Sequence, residues 1–311
     1  MNKPVVTMGI DVSKDTLDIS LHNKSYQYTN GSTAIAKLIK FAKTKNVGRI
    51  VCEATGGYEI NLIILCNKHN MMVCRVNPRQ VRDFAKASGV LAKTDKIDAK
   101  IIVSFANIFD LYPTDISESI ELAQLAKHRE NLVKERSNNL KRSKKLSCDF
   151  VKKSIASIMH LLNEEISQCD QQIQALINAD SSLKEKSDIM TSVKGVGATT
   201  AAAMLLAFMP EIGNVENSKV AALAGLAPYN RDSGKMTGKR SVKAGRKSVR
   251  NTLYMAAVVA IRFNKKMKAF YDRLIQQKKP YKVAITAVMR KLLITLNAMI
   301  KSNKKWEEKT A

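Results

Sequence analysis

Residues 4–21 read PVVTMGIDVSKDTLDISL, and this stretch decides the fold class of the first part of the chain. Its apolar start predicts a buried strand that ends at Asp11. The alternation of polar and apolar residues over 16–21 predicts a second, half-exposed strand. Residues 25–29 predict a third strand. The chain therefore begins with a run of short strands.

Helices alternate with strands after this run. Residues 33–43 predict a helix, and RIVCE at 49–53 predicts a second buried strand, which again ends in a carboxylate. Residues 58–68 predict another helix, and 71–76 predict another strand. This order predicts an α/β sheet covered by helices.

Acidic residues follow the apolar residues of two of these strands, at Asp11 and Glu53. Neighbouring strands lie about 5 Å apart, so the two carboxylates could meet. Asp95 and Asp98 open a predicted helix that runs to residue 105, and their spacing of three puts them on one side of it. Four converging carboxylates cannot all stay ionised without a cation, and oxygen ligands suit Mg²⁺, or Mn²⁺ in its place. Such ions assist phosphodiester transfer by stabilising the attacking and leaving oxygens.

Each carboxylate also has a simpler interpretation. Asp95 fits the first turn of a helix that Thr94 caps. Asp11 fits a turn at the end of a strand, and Glu53 fits a salt bridge. Found together in a basic protein, the four acids favour a metal site.

The charge of the chain predicts a polyanionic partner. Its 52 Lys and Arg residues against 27 Asp and Glu residues give a formal net charge of +25, and cations that bind phosphates release counterions. Residues 1–110 carry +7, 111–190 carry zero and 191–311 carry +18, so the last segment is the expected nucleic-acid surface. A basic membrane-surface protein is the alternative. Because no apolar run reaches transmembrane length and no signal peptide is evident, we expect no membrane association.

The cysteines and histidines do not predict a disulfide framework or a zinc site. The five cysteines form no C-x-x-C pair, and three of them lie in apolar runs, which is typical of reduced core residues in a cytoplasmic protein. The four histidines lack the spacing of zinc ligands. The cysteines are Cys52, Cys66, Cys74, Cys148 and Cys169.

Residues 115–186 contain no Pro or Gly and predict long helices. Apolar residues recur every seven positions, with a second set four residues later, which is the a/d pattern of a helical seam. The two sets are Ile155, Leu162, Cys169 and Leu176, and Met159, Ile166 and Ile173. The seam suits either a hairpin within one chain or a coiled coil between chains, and ordinary helix packing is an equal alternative.

Glycines interrupt the helices of the last segment. Gly195 and Gly197 lie in a turn before an Ala-rich helix at 198–208, which resembles a helix-hairpin-helix that could hold a phosphate, although a plain turn fits equally. Residues 229–250 contain eight basic residues and one acid, Asp232, with Ser233 presented on a predicted loop. The eight basic residues, candidates for nucleic-acid contacts, are Arg231, Lys235, Lys239, Arg240, Lys243, Arg246, Lys247 and Arg250.

Ser233 has two possible roles on chemistry alone. A serine hydroxyl needs a base and nearby positive charge before it attacks phosphorus, and it serves equally well as a phosphate contact. Ser241 and Ser248 are neighbouring candidates, and Tyr254 is the candidate if the nucleophile is a tyrosine.

The motifs GIDVSK, CEATGGYE and KTDKIDA, which contain Asp11, Glu53, Asp95 and Asp98, resemble those of the DEDD-motif, Piv-like insertion-sequence transposases. The resemblance extends into the C-terminal half and covers most of the chain. It implies an RNase H-like (RuvC-like) α/β catalytic domain at 1–110, a helical coiled-coil connector at 111–190 and a mainly α transposase domain at 191–311.

For the chemistry, the resemblance implies that the acids bind Mg²⁺ and that Ser233 of the S-G motif links covalently to DNA. It also implies DNA substrates (element ends and target), a structured guide RNA and a homo-oligomer, either a dimer or a tetramer. The family commonly has Gly-Gly-Arg after the serine motif, where this chain has Ala244-Gly245-Arg246.

Two other functions remain open at this stage. A junction-resolving nuclease would use the same acids with water in place of the serine. A non-catalytic nucleic-acid-binding protein would use the acids only as caps and ion-pair partners. We also expect that the active site could be shared between subunits, because a long connector separates the acids from the serine.

Overall fold

The computed structural model describes residues 5–92, 94–114, 120–230, 232–233, 238 and 240–307. The chain forms two compact units, residues 1–118 and 119–311. Each unit has its own buried apolar residues. The second unit contains both the predicted connector helices and the basic C-terminal segment, and the predicted division into three domains stays a prediction.

The first unit is a five-stranded mixed sheet with helices on both faces. Its strand order is β3-β2-β1-β4-β5, in which β1 pairs antiparallel with β2 and parallel with β4. The strands are β1 (Thr7–Val12), β2 (Thr16–Leu21), β3 (Lys24–Thr29), β4 (Arg49–Glu53) and β5 (Val73–Val76). The helices are α1 (Ser32–Thr44), α2 (Ile60–Lys68), α3 (Pro78–Ala87) and α4 (Asp95–Ile108).

Alternation along β1 and β4 assigns their side chains to two different cores. Met8 and Ile10 of β1 and Cys52 of β4 pack with residues of α1 and α2 on one face. Val51 of β4 packs with Ile102 and other residues of α3 and α4 on the opposite face. Gly9 and the side chains of Asp11, Val51 and Glu53 therefore face α4.

Helix α4 runs antiparallel to β1 at very short range. A Cβ added to Gly9 would lie 2.5 Å from the carbonyl oxygen of Ala99, so only glycine permits this approach. At the start of the sheet, the guanidinium of Arg49 donates to the carbonyl oxygen of Ala106 at 2.5 Å. Ala106 thus lies near the start of β1 and Ala99 further along, so the first turn of α4 lies near Asp11.

The predicted α/β sheet is confirmed, and its order is consistent with the RNase H-like expectation. The strands predicted at 16–21 and 49–53 have the observed bounds. Three details differ: β1 continues one residue beyond Asp11, β2 has five of its six residues buried and is not half-exposed, and α3 was not predicted. Helix α3 (PRQVRDFAKA) contains few apolar residues, although Val81 and Ala85 are buried on one face of it, so its low mean hydropathy concealed the helix.

The second unit is mainly helical. Its helices are α5 (Ile120–Ser143), α6 (Asp149–Ala179), α7 (Ser181–Thr191), α8 (Ala203–Phe208), α9 (Asn217–Leu223), α10 (Lys247–Phe263), α11 (Lys265–Gln276) and α12 (Tyr281–Lys301), with a π-helical turn at Ala198–Ala202. Two short strands, β6 (Pro228–Tyr229) and β7 (Ser241–Val242), pair antiparallel.

Helices α5 and α6 form a hairpin within the chain. Ile155, Leu162, Ile166, Cys169 and Ile173 are buried, as the seam predicts, while Met159 and Leu176 are only partly buried and Ile177 replaces Leu176 at the core. Arg129 of α5 makes two hydrogen bonds to Asp170 of α6, at 2.5 and 3.2 Å. Near the hairpin's base, residues of both helices enter the main core of the unit.

The glycine turn between α7 and the π-helical turn packs tightly against α10. Gly195 has a φ of +107°, and a Cβ there would lie 2.7 Å from the backbone of Ala260. Val193 and Val196 on either side are buried. The predicted helix at 198–208 is present, although its first five residues are π-helical.

Helix α12 supplies a large part of the core. Within the described residues, it is the one helix long and apolar enough to cross a membrane by length and composition, which corrects the expectation that no apolar run reaches that length. Half of the most apolar stretch of this helix is buried inside the protein, as in a core helix.

All five cysteines are free, and four of them are buried. Burial raises the pKa of the Cys66 thiol to about 12.

Candidate active site

Asp11 and Glu53 lie next to each other on the α4 face of the sheet. Ile10 of β1 pairs with Cys52 of β4, so the residues that follow them are neighbours across the parallel pair. Both side chains are partly buried. The predicted meeting of these two acids at the end of adjacent strands therefore agrees with the strand register.

Helix α4 begins at the same edge of the sheet. The Thr94 hydroxyl accepts a hydrogen bond from the backbone N–H of Ile97 at 3.3 Å, which caps the helix. Asp95 and Asp98 both lie in the first turn, with Asp95 exposed and Asp98 partly buried. Asp95 lies one turn before Ala99, the residue that contacts Gly9, so it shares the sheet-facing side of α4.

The four acids fit a divalent cation in ligand chemistry and in placement on the backbone. Carboxylate oxygens are the ligands that Mg²⁺ prefers, and strand register and helix direction bring all four to one edge of the sheet. Among the described residues, no three His, Cys, Asp or Glu side chains approach closely enough to share one ion. The side chains thus share an edge but are more widely spaced than a coordinating set.

A further carboxylate, Asp18, lies on the same face and was missed by sequence reasoning. It pairs directly with Asp11 across β1 and β2 and is 6% exposed. Its Oδ1 accepts a hydrogen bond from Gln27 at 3.0 Å, and its Oδ2 accepts one from the Thr16 hydroxyl at 3.5 Å. The available signal was its place in the second predicted strand, which follows the apolar strand that ends in Asp11 and could pair with it.

Glu59, the last residue of the CEATGGYE motif, is buried under the loop that follows Glu53. Its Oε2 accepts hydrogen bonds from the backbone N–H of Thr55 (3.2 Å), the Thr55 hydroxyl (3.0 Å) and the N–H of Gly57 (2.9 Å). Arg75 of β5 lies 3.5 Å from its Oε1. Burial favours the neutral acid, but these hydrogen bonds outweigh it and lower the pKa of Glu59.

Ser233 lies in a different unit, between the two strands of a short ribbon. Pro228 of β6 pairs with Val242 of β7, and Tyr229 pairs with Ser241. Ser233 is exposed, as the loop prediction requires. Its neighbour Asp232 accepts a hydrogen bond from the N–H of Gly238 at 3.0 Å.

The base of this ribbon is tightly packed. Gly225 and Gly245 have φ values of +68° and +69°, and a Cβ on Gly245 would lie 2.1 Å from the nitrogen of Gly225. Ala244 has a φ of +57°, in the region that favours glycine. The family's usual glycine is therefore replaced at a position where an alanine is strained.

Two of the eight basic residues predicted to contact nucleic acid instead make hydrogen bonds within the protein at the base of this ribbon. Arg246 pairs with both carboxylate oxygens of Glu211, at 2.7 and 2.5 Å, and donates to the carbonyl oxygen of Phe208 at 2.9 Å. Arg250 donates to the carbonyl oxygens of Ala224 and Ala244. Arg240, Lys243 and Lys247 are exposed, whereas Arg231, Lys235 and Lys239 lie outside the described residues.

The neighbouring candidates for the nucleophile have distinct surroundings. The Ser248 hydroxyl donates to both carboxylate oxygens of Glu130, at 2.9 Å each, and Glu130 also pairs with Lys127 at 2.7 Å. Burial opposes ionisation there, but the bonds from Lys127 and Ser248 lower the pKa of Glu130, so it is a weak base. Tyr254 is exposed, with its hydroxyl 3.3 Å from that of Tyr281.

Sequence comparisons identify the family. A family model described as "Transposase" matches residues 8–146, and a second, described as "Transposase IS116/IS110/IS902 family", matches residues 187–272. Together the two matches cover most of the chain and contain Asp11, Glu53, Asp95, Asp98 and Ser233. The chain belongs to the IS110 family of transposases.

Several relatives of this IS110-family chain have descriptive names. The pilin gene-inverting proteins of Moraxella bovis and Moraxella lacunata are each 29% identical over 320 residues, which covers 97% of this chain and 98% of theirs. The insertion element IS110 protein of 43.6 kDa from Streptomyces coelicolor is 26% identical over 162 residues, which covers 52% of this chain and 39% of that protein. The IS110-family chain is accordingly a DNA transposase or recombinase.

Proposed function

We propose that this transposase cuts and rejoins DNA through a covalent link at Ser233, with a divalent cation at Asp11, Glu53, Asp95 and Asp98. The observation that supports the metal site most directly is the strand register that makes Asp11 and Glu53 neighbours on the α4 face. The first turn of α4, which carries Asp95 and Asp98, begins at the same edge.

In this mechanism the Ser233 oxygen forms a bond to phosphorus while the ester bond to the leaving DNA oxygen breaks. The serine proton goes to a base, and the leaving oxygen gains a proton. A hydroxyl of another DNA strand then attacks the same phosphorus and releases the serine, so the number of phosphodiester bonds is conserved. A divalent cation, when bound, would neutralise the carboxylates and the developing charge on the oxygens.

The surroundings of Ser233 support its role over that of Ser248. Ser233 is exposed on the ribbon loop, where a DNA phosphate can reach it. Ser248 is partly buried and donates to Glu130, a carboxylate of lowered pKa that is a weak proton acceptor. The exposed cations Arg240 and Lys243 lie in the same segment as Ser233 and could contact the phosphates beside it.

The partners in this proposal are the ends of the element, target DNA, a structured guide RNA and further copies of the chain. The net charge of +18 over residues 191–311 supports nucleic-acid binding. The exposed apolar side chains of Phe150, Ile158 and Leu161 on the α5–α6 hairpin support an oligomer, dimer or tetramer, that buries them.

Covalent trapping tests this mechanism. Purified protein would be incubated with Mg²⁺, element-end DNA and RNA encoded beside the gene, then denatured and resolved by electrophoresis. We expect a protein–DNA adduct that Ser233→Ala and Asp11→Asn each abolish. Ser241→Ala, in the same ribbon as Ser233, and Asp15→Asn, in the turn that follows β1, should retain it. DNA cleavage that survives Ser233→Ala without an adduct would favour a metal-dependent nuclease.

A mixing experiment addresses sharing of the site. Ser233→Ala and Asp11→Asn subunits would be combined after separate purification. If the acids and the serine of one site come from different subunits, the mixture recovers part of the adduct yield. A mixture as inactive as its components would contradict sharing.

A further inference from the structure

The loops that follow Asp11 and Glu53 are connected by side chains that no part of the proposed chemistry uses. Glu59 binds the loop at 55–57, directly after Glu53, through three hydrogen bonds to one carboxylate oxygen. A side chain that is 2% exposed and accepts this many bonds fixes the positions of its donors, because each unmade bond to a buried charge is costly.

Asn30 connects this loop to the turn after Asp11. Its side-chain amide donates to the carbonyl oxygen of Ser13 at 2.9 Å and to that of Tyr58 at 3.0 Å. Its backbone N–H donates to the carbonyl oxygen of Asp15 at 2.9 Å. Asn30, the residue that follows β3, therefore contacts the backbone beyond the ends of both β1 and β4.

The glycines of the CEATGGYE motif explain why a carboxylate is required beneath the loop. Gly56 and Gly57 have φ values of +79° and +127°, so the loop leaves the geometry of both strand and helix immediately after β4. The N–H of Gly57 then points inward, toward the Glu59 carboxylate. Arg75, on the neighbouring strand, supplies a positive charge for the other oxygen.

We propose that Glu59 and Asn30 are positioning residues for the carboxylates of Asp11 and Glu53. This inference rests on the proposed metal site. Neither side chain would contact the cation; both hold the backbone that follows the two acids, which limits how far the acids must move to close on a divalent ion. Residues that orient metal ligands in this indirect way typically affect metal affinity by about 10- to 100-fold.

The test measures Mn²⁺ affinity by calorimetry on the full chain, together with the thermal unfolding temperature in EDTA. We expect Glu59→Gln, which keeps the size of the side chain but loses its charge, to weaken Mn²⁺ binding by about tenfold. Asn30→Ala changes a less buried side chain and should weaken Mn²⁺ binding to a similar extent. It replaces Glu59→Gln in the test if that variant does not fold.

Asp170→Asn is the matched control, because it removes an ionic partner of Arg129 in the other unit. It should lower the unfolding temperature and leave Mn²⁺ affinity unchanged, which separates loss of stability from loss of positioning. Wild-type affinity in both Glu59→Gln and Asn30→Ala would overturn the inference. If the wild-type chain binds no Mn²⁺, or binds it as tightly as Asp11→Asn does, the metal site itself is refuted, and this inference with it.

Discussion

Asp11 on β1 lies directly opposite Asp18 on β2, on the same face of the sheet. Cross-strand partners of this kind have Cβ atoms about 5 Å apart, and like charges placed opposite each other are unfavourable. Asp18 is buried and bound to Gln27 and Thr16, while Asp11 neighbours Glu53 on its other side. This edge of the sheet therefore concentrates negative charge, which a cation would relieve.

The first prediction concerns stabilisation by metal. We expect Mg²⁺ or Mn²⁺ to raise the unfolding temperature of the wild-type chain, because a ligand that binds only the folded state stabilises it by about 2.7 kcal/mol at a hundred times its Kd. Asp11→Asn should remove most of this gain. Asp15→Asn, an exposed acid in the adjacent turn, should keep it. Equal metal-induced shifts in the two variants, measured by differential scanning calorimetry, would contradict the site.

The second prediction concerns the contact between β1 and α4. Gly9→Ala should lower the free energy of unfolding by about 1–3 kcal/mol, because the new Cβ meets the Ala99 carbonyl oxygen at 2.5 Å and the Val103 side chain at 2.7 Å. Gly31→Ala is the control, since no atom lies within 4 Å of a Cβ there. Urea unfolding of both variants would show the difference, and similar losses would argue against the close approach of α4.

The third prediction concerns the strained alanine at the base of the ribbon. Ala244→Gly should raise the free energy of unfolding by up to about 1 kcal/mol, because glycine adopts a φ of +57° without the steric cost that a Cβ imposes. The greater freedom of glycine in the unfolded chain offsets part of this gain. A lower unfolding temperature in Ala244→Gly than in the wild type would contradict the strain.

The fourth prediction separates two basic residues of one segment. Arg246→Ala should lower the unfolding temperature, because it removes three hydrogen bonds to Glu211 and Phe208. Lys243→Ala should leave stability unchanged, weaken DNA binding and reduce the salt dependence of binding by about one ion. Thermal unfolding and DNA titrations at several salt concentrations would be compared. Lys243→Ala with wild-type salt dependence would exclude that phosphate contact.

The fifth prediction concerns Glu130 and acid. Since its folded-state pKa is lowered below the ordinary value of 4.5, its contribution to stability is present above about pH 4.5 and is lost as the pH falls through the folded-state value. Glu130→Gln should therefore cost stability at neutral pH and progressively less toward acid. Chemical unfolding between about pH 3 and pH 7 measures this. If the difference in free energy of unfolding between Glu130→Gln and the wild type does not shrink toward acid pH, the lowered pKa of Glu130 is contradicted.

Local pattern predicted the five strands and three of the four helices of the first unit, but not α3. The alternation at 16–21 and the apolar run at 49–53 predicted strands with the observed bounds, but alternation did not predict that both faces of β2 are buried. Five of the seven residues of the predicted seam are buried. Periodicity is the same for a partner helix in the same chain or in another, and only the tertiary structure shows that α6 packs against α5.

The parts that sequence reasoning missed depend on contacts between distant segments. Asp18 has functional interest only because β2 pairs with β1 in a particular register, which no residue of β2 specifies alone. Glu59 lies within the CEATGGYE motif, but its hydrogen bonds form only because the loop at 55–57 folds over it. Arg246 and Arg250 are basic residues in a basic segment, and their carbonyl and carboxylate partners lie up to 38 residues away in the chain.

In the β6–β7 ribbon, the residues that pack its base are different from the residues that its loop exposes. Gly225 precedes the ribbon, while Gly245, Arg246 and Arg250 follow it, so these described residues of its base lie outside the intervening segment. Substitutions at the described positions of this segment, such as Asp232 and Ser233, are therefore expected to leave that packing in place. Divergence among related elements could accumulate in this segment at little cost to folding, which makes it a natural place for laboratory evolution of altered DNA preference.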